Sequence, residues 1–249
     1  MAYIDHFSKQ ASSYAASRPT YPDELIDYIS NLSGTHQKVL DCATGNGQAA
    51  VGLSQHFNQV VAFDRSFSQL SKSKKAQNIY YLCASTHALP IKNESLDLVV
   101  AAQAWHWFDK LEFENEVARV LRPGGHLAIW GYNLIKINEE LDRLILHFYQ
   151  NIVGDYWPEE RRLLESKYKD FPIVLTPIPA PEFEMVTRWD RNHLFRYFRS
   201  WSATQRYISA KGDEAIKNFE LALSKLWPVA QVTKTIHWPL FLKVAQRST

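Results

Sequence analysis

At 249 residues the chain has room for one large α/β domain with a substrate-covering insertion and too little for two full domains. Its 46% hydrophobic and 22% charged residues leave no long stretch too polar to join a core, which argues against wholesale disorder. The net charge of +2, with no basic run longer than "KSKK" (72–75), argues against a nucleic-acid partner.

Residues 1–37 read as an appended helical segment. Prolines in "SRPTYP" (17–22) break one helix and open the next, and such a segment can fold over a cleft as a lid. The opening "MAYIDHFSKQ" has an acid at Asp5 and no apolar signal-peptide core. No later stretch approaches the ~20 apolar residues of a membrane span, so the expected location is the cytoplasm.

From residue 38 short apolar strands alternate with helical patterns, the mark of parallel βαβ units. The expected strands are "KVLDCAT" (38–44), "QVVAFD" (59–64), "IYYLCAS" (79–85), "LDLVVAAQ" (96–103) and "HLAIWGY" (126–132). Helices are expected from "GNGQAAVGLSQHF", "SFSQLSKSKKA" and "LEFENEVARVL", the last stopped by a turn at "RPGG" (122–125). Residues 133–181 read as an insertion: helical through "NEELDRLILHFYQNIV" and "ERRLLESKY", then too proline-rich to continue in "FPIVLTPIPAPEF". The end restores the sheet with strands at 183–190 and 232–245, separated by helices through "HLFRYFRSW" and at 213–226.

The first strand runs into "LDCATGNGQAA" (40–50), which holds G-x-G-x-x-A at Gly45, Gly47 and Ala50. In a parallel sheet this turn lies at the carboxyl ends of the strands, where ligands sit. Asp64, ending the second strand nineteen residues beyond Gly45, is placed to accept both hydroxyls of a ribose. These features suit a nicotinamide dinucleotide and an adenosyl cofactor equally, so a nicotinamide-dependent oxidoreductase stands as one reading. Asp41 separates the two: a carboxylate there repels a pyrophosphate but attracts an ammonium group. S-adenosylmethionine carries that ammonium, a sulfonium and a ribose, and no phosphate.

The chain resembles the class I S-adenosylmethionine-dependent methyltransferases, methyltransferase type 11 family, and within them the trans-aconitate methyltransferase-like group. The resemblance rests on "YAASRPTYP" (14–22), "DCATGNGQ" (41–48), "FDRS" (63–66), "AQAWHWFD" (102–109), "VLRPGGHLAIWGY" (120–132) and "SWSATQRY" (200–207). It implies a Rossmann-like sheet of seven strands in the order 3-2-1-4-5-7-6 with the last antiparallel, a core over 38–132 and sheet completion over 182–249. It also implies a cofactor set of Tyr14, Arg18, Asp41, Ala43, Gly45, Gly47, Asp64, Arg65, Ser85, Thr86 and Gln103, with Arg18 over the cofactor carboxylate. Two departures stand out. Ala43 replaces the family's first glycine, so the backbone there is expected to keep a conformation open to a Cβ. Ser85, Thr86 and His87 stand where the family often has an acid for the adenine amine.

On the acceptor side, Trp105, Trp107, Trp130, Tyr132 and Trp157 are expected to form a water-poor chamber suited to a compact ligand. His106, between two tryptophans, is a candidate general base. Arg161 and Arg162 are candidate partners for an acidic acceptor. The expected reaction is methyl transfer to a small molecule, a carboxylic acid giving a methyl ester; a carboxylate is already ionised at neutral pH and needs no base. A non-catalytic S-adenosylmethionine binder is the alternative, and an RNA methyltransferase lacks the expected basic face. A monomer or dimer is expected. Cys42 and Cys83 fall on strands one and three, with strand two between them at ~9.6 Å separation, beyond disulfide reach. Both should be free thiols, and no cysteine or histidine cluster has zinc spacing.

Overall fold

A computed structural model describes residues 19–85, 89–169 and 174–248. Strands β1 (Lys38–Cys42), β2 (Gln59–Asp64), β3 (Ile79–Cys83), β4 (Leu96–Ala102) and β5 (Leu121–Tyr132) pair in parallel in the order 3-2-1-4-5. Successive residues of each strand face opposite sides. Val39, Val60, Leu98 and Ala128 accordingly enter one apolar cluster, and Leu40, Val61, Val99 and Leu127 enter another. A sheet buried on both faces needs continuous apolar runs, which is what these strands supply.

Helices α1 (Asp23–Asn31), α2 (Gln48–Leu53), α3 (Phe67–Leu70) and α4 (Lys110–Val120) accompany this half. The helical patterns at 45–57 and 66–76 yield only the short α2 and α3. Asp109 caps α4 by accepting from the Glu112 N–H at 3.0 Å, which sets its start. The helix ends at Val120, as expected. "RPGG" is not a turn, however: Arg122–Gly125 are already strand, with an irregularity between the Leu96 and Leu98 pairings of β4. The bulged register lets Gly124, at φ 75°, take a conformation the sequence pattern reads as a break.

α1 buries Leu25, Ile26 and Ile29, so this part of the 1–37 segment is built into the core. Tyr14 and Arg18 lie outside the described residues, as do Thr86 and His87.

After β5 come α5 (Glu139–His147), a π-helical turn (Phe148–Ile152), a 3-10 turn (Gly154–Tyr156) and α6 (Arg161–Glu165). β6 (Thr176–Ile178) and β7 (Phe183–Trp189) follow, then α7 (Arg191–Arg199), α8 (Ser202–Lys211), α9 (Glu214–Leu226) and β8 (Lys234–Gln246). β8 runs antiparallel beside β5, as expected of the last strand. Its outer edge carries β7 along one part and the short β6 along the other, giving eight strands instead of seven. β6 arises within the proline-rich stretch read as irregular: Pro177 is tolerated because β6 has only one strand partner. α8 is an addition that the polar "SATQRY" pattern did not announce. Among the described residues no helix is long and apolar enough to cross a membrane.

Candidate active site

The first turn occupies the switch between β2-β1 and β4-β5. Ala43, Gly45 and Gly47 all have positive φ, at 53°, 58° and 82°. Ala43 therefore departs from expectation: it sits in the left-handed region that favours glycine, at a cost of roughly 1–2 kcal/mol. The neighbouring bonds hold it there. Thr44 N–H donates to the Phe63 carbonyl at 2.9 Å and Gly45 N–H to an Asp64 oxygen at 2.9 Å. Gly47 needs glycine twice over, since a Cβ would also collide with the Tyr81 hydroxyl. Gln48 Nε2 donates to the Pro19 carbonyl at 2.8 Å, tying the chain that leads in from the N-terminus to this turn.

Asp41 is fully buried at the end of β1. One carboxylate oxygen accepts from the Thr44 hydroxyl at 2.6 Å, and the other has no hydrogen-bond partner among the described residues. Burial pushes its pKa up to about 7, against the hydrogen bonds from Thr44 and the Ala50 backbone, with the Asp64 charge adding to the rise. Such a carboxylate gains most from a cation that reaches its orphan oxygen.

Asp64 accepts from Gly45 N–H with one oxygen and from Ser66 N–H, at 2.8 Å, with the other. An ionised carboxylate offers about four acceptor sites in all. Arg65 is exposed next to it and Ser85 is half-buried beyond β3. Gln103 is engaged by the backbone. At φ 55° its side chain exchanges two hydrogen bonds with the Tyr132 backbone, accepting at 2.8 Å and donating at 3.1 Å. It bolts the ends of β4 and β5 together.

"WHW" forms a 3-10 turn after β4. Trp105 and Trp130, expected as chamber walls, are core: they are 1% and 0% exposed. Trp105 packs on Tyr168 under the Lys110 ammonium, and Trp130 meets Tyr21 edge-on at 5.3 Å. Large aromatic rings at strand ends are worth more in the core than beside a wet cleft. Trp107 is half-buried and Tyr132 is 6% exposed. His106 is buried, its Nδ1 2.8 Å from the Tyr168 hydroxyl. Burial first, then the nearby Arg161 and Lys110 charges, push its pKa down to about 3. Burial also lowers Lys110, to about 8. A histidine so disposed is neutral and weakly basic at pH 7.

Beyond β5 lies a cavity of about 1050 Å³, lined in part by Asn133, Tyr149, Trp157, Arg161, Arg162 and Phe241. Arg161 lies 4.0 Å above the Trp157 ring centroid, and its Nε donates to the Tyr149 hydroxyl at 2.6 Å. That hydroxyl donates in turn to Glu165. Nε is thus committed, while the terminal guanidinium nitrogens have no hydrogen-bond partner among the described residues. Arg162 is exposed at the rim. Tyr149, Glu165 and Tyr168 carried no sequence signal. Each acts through a partner twelve or more residues away.

A family profile described as a methyltransferase domain matches residues 40–129. A Dictyostelium discoideum protein named as a methyltransferase is 32% identical over 237 residues, covering 90% of this chain and 87% of its own length. A Saccharomyces cerevisiae protein named as an S-adenosylmethionine-dependent methyltransferase is 24% identical over 229 residues, covering 78% of this chain and 79% of its own. With several further methyltransferases the match spans about half of each chain. A solved structure described as a type II methyltransferase from Anaeromyxobacter dehalogenans superposes with a TM-score of 0.86 at 29% identity, covering 93% of this chain and 98% of that one. The chain belongs to the class I S-adenosylmethionine-dependent methyltransferases. The residues present suit that cofactor, because the orphan oxygen of the buried Asp41 carboxylate matches an ammonium group.

Proposed function

We propose that this methyltransferase acts on a small carboxylic acid to give a methyl ester, as the resemblance to the trans-aconitate group implies. The observation that carries the reading is Arg161. Its guanidinium is held beside the adjoining Trp157 and Tyr149 rings, 4.0 Å and 5.2 Å from their centroids, and by one hydrogen bond at Nε, which leaves the fork available to a carboxylate. S-adenosylmethionine, when bound, supplies a methyl group on a positively charged sulfur. The protein's part is to bind Asp41's ammonium partner, hold the ribose at Asp64 and align an anionic oxygen. Alignment alone can supply much of the rate.

With Arg161 counted, the cavity's charges balance: Lys136, Arg161, Arg162 and Lys167 face Asp155, Glu159, Glu165 and Glu182. Recognition of an acid is then local to Arg161 and not a property of the general field. A volume of about 1050 Å³ also leaves space for a tail beyond the carboxyl group. The insertion at 133–181 supplies Tyr149, Trp157 and Arg161, so we assign it the acceptor-covering role.

The test is a screen of carboxylic acids for release of demethylated cofactor, followed by comparison of wild type, Arg161→Ala and His106→Ala on any acid turned over. Loss of a charge-assisted hydrogen bond of ~1.5–3 kcal/mol lowers kcat/KM by roughly tenfold to hundredfold in Arg161→Ala. A loss on the order of 10²–10⁴ at His106 with little change at Arg161 would instead indicate O- or N-methylation with a general base.

A further inference from the structure

The Tyr168 hydroxyl is completely buried and has His106 Nδ1 as its hydrogen-bond partner, at 2.8 Å. A buried phenol O–H must donate, and no second acceptor for it is present among the described residues. Nδ1 is therefore the acceptor. Burial raises the Tyr168 pKa further above its ordinary range, so the phenol keeps its proton. The His106 backbone N–H also bears on the hydroxyl oxygen, which occupies its lone-pair side and leaves the proton for Nδ1. The imidazole is neutral, flanked by the Arg161 and Lys110 charges, and its remaining proton must sit on Nε2.

The placement of Tyr168 is itself over-determined. Lys167 and Tyr168 both have positive φ, 52° and 51°, where α6 terminates in a way glycine usually provides. The ring is packed at 4.9 Å from Trp105 and edge-on at 5.0 Å from Phe241.

We propose that Tyr168 is a positioning residue that holds His106 as the neutral tautomer protonated at Nε2, so that His106 offers the acceptor a hydrogen-bond donor and no proton-accepting nitrogen. The second half rests on the acceptor site described above; the tautomer does not. An acceptor group that reaches His106 then meets a neutral N–H and no basic nitrogen, so acceptors needing deprotonation there are disfavoured.

The experiment is nitrogen-15 NMR of histidine-labelled protein without acceptor, reading which ring nitrogen of His106 carries the proton. Wild type should show Nε2 protonated and Nδ1 bare, with no second protonation between about pH 6 and pH 8. Tyr168→Phe should shift the ring toward the other tautomer or into exchange between the two. A protonated Nδ1 in wild type, or nitrogen signals unmoved in Tyr168→Phe, overturns the assignment whatever the acceptor proves to be. If Tyr168→Phe does not fold, the wild-type spectrum decides alone. For the role, His106→Gln keeps an N–H near the Nε2 position without a basic nitrogen. It should retain activity within about tenfold of wild type and exceed His106→Ala, and equal losses in the two variants would reject the donor role.

Discussion

Asp41 carries the sharpest residue-level consequence. Its folded pKa of about 7 lies above the ~3.9 of an unfolded aspartate, so the folded protein holds that proton more tightly. The associated stability is fully present below pH ~4 and is lost as pH rises through about 7. Asp41→Asn should therefore melt higher than wild type above pH 7 and close to wild type near pH ~4, measured by thermal denaturation. Cofactor affinity should move the opposite way in wild type. The ammonium partner needs the ionised carboxylate, so binding weakens as pH falls below 7, and Asp41→Asn should bind weakly with that pH slope removed. Asp64→Ala tests the neighbouring carboxylate. Removing an acceptor worth ~1.5–3 kcal/mol should weaken cofactor binding roughly tenfold to hundredfold by calorimetry, and unchanged affinity in a folded variant would remove the ribose assignment.

At the scale of elements, the joint between the ends of β4, β5 and α6 holds the two halves of the site in register. A Cβ on Gly131 would lie 2.7 Å from Leu164 Cδ1, 2.7 Å from Phe241 Cζ and 2.9 Å from Gln103 Oε1. All three atoms belong to packed groups, and the last is committed to the Tyr132 backbone. Gly131→Ala should thus be destabilising by ~1–3 kcal/mol, lowering the melting temperature by roughly 2–10 °C. The "GY" ending of β5 was read for its tyrosine. The need for a glycine there comes from α6 and β8, which approach from thirty-three and more residues later. Likewise Trp105 and Trp130 look alike in sequence to Trp107 and Trp157. What packs over each ring separates the buried Trp105 and Trp130 from the half-buried Trp107 and from Trp157, which lines the cavity.

Across the whole molecule, the strand order separates the two cysteines. Cys42 pairs with Phe63 on β2, and Cys83 pairs with Asp64 on the other edge of β2, so one strand stands between them. Both are free, Cys42 buried and Cys83 exposed, and burial raises the Cys42 thiol well above its ordinary pKa. Native protein treated with an alkylating reagent should label Cys83 first, with Cys42 reacting only on unfolding. Mass spectrometry finding a bridge between them would contradict the strand order. The parallel core, the cofactor turn and the acidic ends of β1 and β2 were legible along the chain because their code is local. Strand periodicity, glycine spacing and an acid at a strand end all act within one βαβ unit. The edge of the sheet was less so, since β6 is a strand only because β8 is long enough to offer it a partner. Least legible was the acceptor side. His106 and Tyr168 stand 62 residues apart, and Tyr149 on the π-helical turn meets Arg161 and Glu165 on α6 from twelve and sixteen residues away. Their protonation and orientation follow from burial and from neighbours brought in by packing, quantities that no spacing along the chain encodes. Asp41 shows the division within a single residue: its place beside a glycine turn marks a cationic ligand, whereas its pKa near 7 exists only because the folded core closes over it.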